Sequence, residues 1–161
     1  MSGTDPTTPA TRAAVELGLD HEVRVIERAR SAEEAAANLG IAPHALLKTM
    51  VVRRGEDDLL LVLIPGPDQI DWPKLRRHLG VSRLSMPSAE AARDATGYER
   101  GTITPLGAQG NWPVLADASI PGSGQVSIGA GQHGVALLVD ADALVRALGA
   151  EVADLVETKL T

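Results

Sequence analysis

The clearest pattern in the sequence is Ala45-Leu-Leu-Lys-Thr-Met-Val-Val-Arg-Arg-Gly-Glu-Asp-Asp-Leu-Leu-Leu-Val-Leu-Ile64. Two runs of β-branched and aliphatic residues, 49–53 and 59–64, lie on either side of the polar segment Gly55-Glu-Asp-Asp58. Runs of this kind favour strands, and a short polar segment with glycine between them favours a turn. We therefore predict a β-hairpin that ends where Pro65-Gly-Pro67 interrupts the second strand.

Helix and strand signals surround the hairpin on both sides. Ser31 and Glu34 have the spacing of a capping box, which is the strongest helix start in the chain. Helices are expected at residues 9–17, 31–39, 71–79, 88–96 and 140–148, with a final helical turn or two at 152–156. Further strands are expected at residues 21–27, 114–116, 125–128 and 135–139. Because helices and strands do not alternate regularly, the pattern predicts an α+β domain with a mixed sheet.

The composition is typical of one domain without disulfides. The chain has 161 residues, of which 44% are hydrophobic, and it has no cysteine. This excludes disulfides, thiolate zinc sites and a cysteine nucleophile. We expect residues 1–8 to be a flexible lead and residues 9–161 to form the single domain. No apolar run reaches the length of a membrane span and no signal-peptide pattern is present, so we expect a cytoplasmic protein with no membrane partner.

Positive charge is concentrated in one segment of an acidic chain. The net charge of −6 argues against a protein that coats nucleic acid through bulk electrostatics. Residues 72–89 nevertheless carry Lys74, Arg76, Arg77 and Arg83 and no acidic residue. The cluster is either a solvated helix face or a local surface for nucleic acid.

Common catalytic and metal-binding motifs do not occur. The histidines at positions 21, 44, 78 and 133 lack metal-ligand spacing, and the sequence has no nucleophile elbow or phosphate-binding loop. Gly129-Ala-Gly-Gln-His-Gly134 has the glycine spacing of a dinucleotide site, but a strand pattern follows it instead of a helix. We expect no metal and no cofactor.

Two features remain as candidates for chemistry. Lys48 is the one charge in the apolar run 45–52, where a helical turn passes into a strand. Its ammonium must reach solvent, pair or face a cavity, and the alternative is a lysine that satisfies carbonyls at a helix end. The second feature is the loop Gly101-Thr-Ile-Thr-Pro105, whose backbone amides could hold a carbonyl or an oxyanion. Its alternative is a purely structural loop.

Together these residues resemble a known family. Lys48-Thr49, Thr96-Gly-Tyr98, Gly101-x-x-x-Pro105-x-Gly107 and Val126-Ser127, with the glycines up to Gly134, occur in the order seen in the YbaK/prolyl-tRNA-synthetase-associated domain family. The resemblance spans roughly residues 14–156. It implies an α+β single domain with a central mixed β-sheet, curved and partly barrel-like, surrounded by helices. It also implies an aminoacyl-tRNA deacylase that hydrolyses the ester of mischarged tRNA, with tRNA for proline expected as the carrier.

The resemblance also implies roles for individual residues. Lys48 would position the substrate and the backbone from Gly101 would hold the carbonyl, so these two are the expected catalytic residues. Water would attack, oriented in part by the ribose hydroxyl of the substrate. Substrate-binding residues are expected to be Ile26, Thr102, Ile103, Thr104, Pro105, Gly131 and Ala136. The tRNA-binding residues are expected to be Lys74, Arg76, Arg77 and Arg83.

The sequence departs from the family pattern around the amino-acid pocket. Many relatives have tyrosine near Ile26, aspartate near Ala136 and arginine at the position of His133. These differences imply a more apolar pocket and leave the amino acid removed undetermined.

Two other functions stay open at this point. One is a non-catalytic module that binds tRNA or a synthetase such as prolyl-tRNA synthetase. The other is a small-molecule amidase or esterase, for which the sequence shows no pair of nucleophile and base.

Overall fold

The helices and strands form two sheets with helices packed on them. The structure is a computed structural model, and it describes residues 6–27 and 29–158. Its α-helices are α1 (Pro9–Glu16), α2 (Ala32–Leu39), α3 (Trp72–Leu79), α4 (Ala89–Thr96) and α5 (Ala141–Leu148), and a 3-10 turn spans Pro43–Ala45. Its strands are β1 (His21–Val25), β2 (Leu47–Gly55), β3 (Asp58–Pro65), β4 (Val114–Asp117), β5 (Gln125–Gly129), β6 (Val135–Asp140) and β7 (Glu151–Ala153).

Local capping chemistry places the helix ends. The Ser31 side chain accepts a hydrogen bond from the Glu34 amide at 3.1 Å, as the predicted capping box requires. The Glu34 carboxylate accepts from the amide of Arg30 at 3.2 Å, one residue further back than in the standard box. Thr8 is buried and caps α1, whereas residues 1–5 of the expected lead lie outside the described residues.

The predicted hairpin is confirmed as β2 and β3. The two strands pair antiparallel, with Lys48 opposite Ile64 and Val52 opposite Leu60. Strand β4 continues this sheet in parallel to β3, and β7 pairs in parallel with β4. The helical turn expected at 152–156 is wrong, because residues 151–153 extend to pair with 115–117. A three-residue segment takes its conformation from its partner strand more than from its own propensity.

The other strands form a second, antiparallel sheet in the order β1-β6-β5. A parallel bridge between Leu46 and Ser127 links the two sheets just before β2 begins. The predicted α+β class and mixed sheet are confirmed, and the strands divide between two sheets that meet at this bridge. Within the described ranges, no helix has the length and apolarity needed to cross a bilayer.

The two faces of the hairpin belong to different cores. Val62 and Ile64 pack with Leu75 of α3 on one face, whereas Leu63 joins Leu137 in the core shared with the second sheet. The start of β2 therefore lies where both sheets and the end of α2 converge.

Candidate active site

A cavity of about 830 Å³ lies at this convergence. Segments that are distant in sequence contribute to its wall: α2, the start of β2, the loop at 101–103, the end of β5 and the turn into β6. A volume of this size is typical of small-molecule sites. The lining residues are Ile26, Glu27, Ala29, Ala35, Leu39, Leu46, Leu47, Lys48, Thr49, Gly101, Thr102, Ile103, Ser127, Ile128, Gly129, Gln132, His133, Gly134, Val135 and Ala136.

Lys48 is the cationic residue in the inner wall of this cavity. It is the second residue of β2, shortly after the 3-10 turn, and pairs opposite Ile64. Burial lowers the pKa of Lys48 below its ordinary value, and the negative charge of Asp68 raises it in part. Of the options open to an ammonium in an apolar run, the structure therefore combines two, a cavity and a counter-charge.

The loop that begins at Tyr98 is held by its own hydrogen bonds. The Tyr98 hydroxyl donates to the Leu106 carbonyl at 2.7 Å and closes the loop at its far end. The amide and hydroxyl of Thr102 both donate to the Glu99 carbonyl, at 3.0 and 2.7 Å. Gly101 has a φ of +92°, a conformation that side chains disfavour.

These internal bonds leave two amides at the cavity available. The N–H groups of Gly101 and Ile103 have no acceptor among residues 6–27 and 29–158. Both residues line the cavity. Two fixed backbone donors beside a bound carbonyl are the chemical requirement of an oxyanion site.

A second glycine-rich segment packs directly on this loop. The Gly131 amide donates to the Thr102 carbonyl at 3.1 Å, and a Cβ at Gly131 would lie 2.4 Å from the Tyr98 ring. A Cβ at Gly129 would lie 3.3 Å from the same carbonyl. The glycines at these two positions thus permit the close contact of two loops, which is a packing role.

The expected site residues separate into two groups. One group, Lys48, Gly101, Thr102, Ile103, Ile26 and Ala136, lines the cavity. Thr104, Pro105 and Gly131 are outside its lining, and Thr104 is fully buried.

Sequence reasoning did not assign roles to several other lining residues. Thr49, Ser127, Gln132 and Glu27 bring polar groups to the wall. Thr49 and Ser127 belong to the motifs Lys48-Thr49 and Val126-Ser127. Their place in these motifs is the sequence signal that could have identified them as site residues. His133 stands at the cavity edge, where its Nε2 lies 3.5 Å from Glu99 Oε2.

The basic cluster of residues 72–89 lies elsewhere on the molecule. The Lys74 ammonium contacts both carboxylate oxygens of Asp154 at 3.0 Å and the Val156 carbonyl at 2.9 Å, so it ties α3 to the segment after β7. Arg77 and Arg83 are exposed and Arg76 is partly exposed. None of these four side chains lines the cavity.

The comparisons with known proteins identify the family of this chain. The profile of the aminoacyl-tRNA editing domain matches residues 26–147. The chain belongs to the aminoacyl-tRNA editing domain family. The resemblance noted in the sequence is thereby confirmed. The match covers β2, the loop at 101–103 and the glycine-rich segment, which are the parts that form the cavity.

Relatives within the editing domain family are of two kinds. Proline--tRNA ligase of Limosilactobacillus fermentum is 31% identical over 110 residues, which are 66% of this chain and 19% of the ligase. EbsC of Enterococcus faecalis, whose name assigns it Cys-tRNA(Pro)/Cys-tRNA(Cys) deacylase activity, is 25% identical over 125 residues, 78% of this chain and 76% of EbsC. The chain thus spans about a fifth of the length of that ligase and about three quarters of EbsC.

A solved structure extends the likeness to the whole fold. A protein described as a trans-editing enzyme for prolyl-tRNA synthetase superposes with a TM-score of 0.84 at 27% identity. The alignment covers 96% of this chain and 100% of that chain.

Proposed function

We propose that this chain is an aminoacyl-tRNA deacylase that removes a wrong amino acid from tRNA, with tRNA for proline as the carrier. The observation that carries the proposal is the shared cavity: Lys48, Gly101 and Ile103 all line it, within an editing-domain fold. The names of EbsC and of the trans-editing structure support the reaction, and the matches to proline--tRNA ligases support the carrier.

The reaction asks little of the protein beyond positioning. A water molecule adds to the ester carbonyl, and the bond between that carbon and the ribose oxygen breaks. The ribose hydroxyl recovers a proton, and the free amino acid leaves as its carboxylate. An ester is already activated, so backbone donors at the carbonyl oxygen and a positioned charge supply the catalysis without a side-chain nucleophile. Gly101 and Ile103 would hold the developing oxyanion, and Lys48 would orient the ester end of the tRNA.

A second hydrolytic site answers a limit on amino-acid selection. One methylene contributes only about 1–3 kcal/mol of discrimination in a binding site, so a synthetase cannot reject small apolar competitors well. The cavity wall includes Ile26, Leu39, Ile128 and Ala136, which suits an apolar side chain. The proposed partners are therefore mischarged aminoacyl-tRNA and a synthetase such as prolyl-tRNA synthetase. A cytoplasmic location is part of the same proposal.

The deciding experiment is a deacylation assay on tRNA for proline charged with alanine, cysteine or serine. We compare the wild type with Lys48→Ala and with Lys48→Met, which keeps the aliphatic stem but removes the ammonium. We expect both variants to lose activity by about 10²-fold or more, because both remove the positioned charge. Circular dichroism should show an unchanged fold.

Two outcomes would contradict the proposal. Hydrolysis at the parental rate by both Lys48 variants would make the lysine a structural residue at the start of β2. Tight binding of every charged tRNA without hydrolysis by the wild type would make the chain a binding module.

A further inference from the structure

The turn that follows β3 brings a buried carboxylate to the start of β2. Its Gly66 amide donates to the Leu46 carbonyl at 2.6 Å, and a Cβ at Gly66 would lie 3.0 Å from the same oxygen. The turn is thus in direct backbone contact with the segment that leads into Lys48. The Asp68 amide closes the turn by donating to the Pro65 carbonyl at 3.0 Å.

Asp68 is an aspartate with only 8% of its surface exposed. Burying a carboxylate costs free energy unless charges or hydrogen bonds compensate it, so the groups around Asp68 matter. His44 Nε2 lies 3.1 Å from Asp68 Oδ1, and the histidine side chain is 58% exposed. One side of the carboxylate thus meets a histidine open to solvent, and its charge acts on Lys48, which faces the cavity.

We propose that Asp68 is a positioning residue for Lys48: its buried carboxylate, held by His44 and by the turn at 65–68, fixes the orientation of the ammonium at the cavity. Asp68 itself does not line the cavity, so it acts through the lysine and does not touch the substrate. The inference rests on the proposed function for its effect on rate, but the state of Lys48 can be measured without any substrate.

Two opposing influences on Lys48 give this arrangement its consequence. Burial favours the neutral amine, and the Asp68 carboxylate favours the ammonium, so removing the carboxylate leaves burial unopposed and lowers the pKa of Lys48 further. Among the described residues, His44 from the 3-10 turn contacts Asp68, and Glu27 and His133 line the cavity together with Lys48. These groups stay in place in the variants of Asp68.

The chain suits a direct test, because its lysines are Lys48, Lys74 and Lys159 alone. Protein labelled with 13Cε-lysine gives three NMR signals. The signal that is missing from Lys48→Met belongs to Lys48. We titrate the wild type, Asp68→Asn, Asp68→Glu and a matched control, Asp58→Asn. Asp58 is a partly exposed aspartate paired with Arg54 at the opposite end of the same hairpin.

The expected result is specific to one signal and one variant. Asp68→Asn shifts the Lys48 midpoint to lower pH, Asp68→Glu restores most of it, and Asp58→Asn leaves it unchanged. In the deacylation assay, the alkaline limb of the pH profile of kcat shifts to lower pH in Asp68→Asn, together with the Lys48 midpoint, while KM changes little.

An unchanged Lys48 midpoint in folded Asp68→Asn overturns the inference. If Asp68→Asn fails to fold, His44→Ala decides: a lower Lys48 midpoint supports the inference, and an unchanged one overturns it. A shifted midpoint in a protein that hydrolyses no mischarged tRNA would refute the proposed function and leave the pairing of Asp68 and Lys48 standing. If the wild type hydrolyses mischarged tRNA but the Lys48 midpoint does not move in Asp68→Asn, the proposed function stands and the pairing of Asp68 and Lys48 is refuted.

Discussion

Tyr98→Phe removes one hydroxyl from the first residue of the loop that carries the candidate oxyanion donors. The phenol is buried, and its hydroxyl donates to the Leu106 carbonyl at 2.7 Å. Phenylalanine fills the same space but leaves that carbonyl without its donor. Loss of one partner from a buried hydrogen bond costs about 1–3 kcal/mol, so we expect the free energy of unfolding to fall by that amount near neutral pH.

The same residue predicts a change with pH. Burial raises the pKa of Tyr98 to about 12, from 10.0 in the unfolded chain, although the charge of Arg12 opposes part of this rise. Because the pKa is raised on folding, the stabilisation is fully present below pH 10.0 and is lost as the pH rises toward about 12. At about 1.36 kcal/mol per pH unit, the rise of the pKa from 10.0 to about 12 corresponds to a loss of about 2.7 kcal/mol of stabilisation. This loss is similar to the hydrogen-bond term, so the advantage of tyrosine over phenylalanine should almost vanish in strong alkali.

Urea unfolding of both proteins at about pH 8 and about pH 11.5 measures this difference, with tryptophan fluorescence as the signal. The other alkaline groups are common to both proteins and cancel in the comparison. Tyr98 is the only tyrosine of the chain, so ultraviolet absorbance also follows its ionisation directly. A gap between the two proteins that stays constant over this range, or a phenol that titrates near 10 in the folded protein, would refute the buried anchor.

Three further substitutions test the site and the surface. Gly101→Ala should lower kcat by about 10²-fold with less effect on tRNA binding, because alanine disfavours the φ of +92° that sets the amide geometry; an equal loss of rate and binding would contradict this. Reversing Arg76 and Arg77 to glutamate should weaken binding of every tRNA similarly and reduce the salt slope by about one per lost phosphate contact, whereas an unchanged slope in filter binding would make the cluster a solvated face. Gly131→Ala should destabilise the fold by more than about 1 kcal/mol in thermal unfolding, since its Cβ would lie 2.4 Å from a buried ring, and full stability would show that the two loops can separate.

Local chemistry explains which parts of the fold the sequence could predict. The hairpin follows from apolar runs on either side of a polar turn, and the helix at Ser31 follows from a side chain that caps its own backbone. The meeting of the two sheets depends on the bridge between Leu46 and Ser127, which are distant in sequence. Strand β7 depends equally on its partner β4. Long-range pairing of this kind leaves no periodic signal in a short segment.

The same distinction applies to the candidate site. The sequence indicates Lys48 and Gly101 as candidates because of their local context. Lys48 is a charge in an apolar run, and Gly101 is a glycine four residues before Pro105. Asp68 follows Pro65-Gly-Pro67, where aspartate is an ordinary turn residue, and its contact with His44 joins positions 24 residues apart. Only the fold brings this turn into contact with Leu46, two residues before Lys48.

The loop at residues 98–107 links stability to the proposed chemistry. Hydrogen bonds within the protein hold this loop. The Tyr98 hydroxyl donates to the Leu106 carbonyl and the Thr102 hydroxyl to the Glu99 carbonyl, and the Thr102 carbonyl accepts from the Gly131 amide. The amides of Gly101 and Ile103, two residues of the cavity wall, have no acceptor in the described part of the chain, and these bonds hold their loop before any substrate arrives. Donors fixed in advance are worth most when charge develops in the transition state. Loss of the Tyr98 anchor should therefore appear first as lower stability, whereas loss of the Lys48 charge should appear as a lower rate in a protein that is still folded.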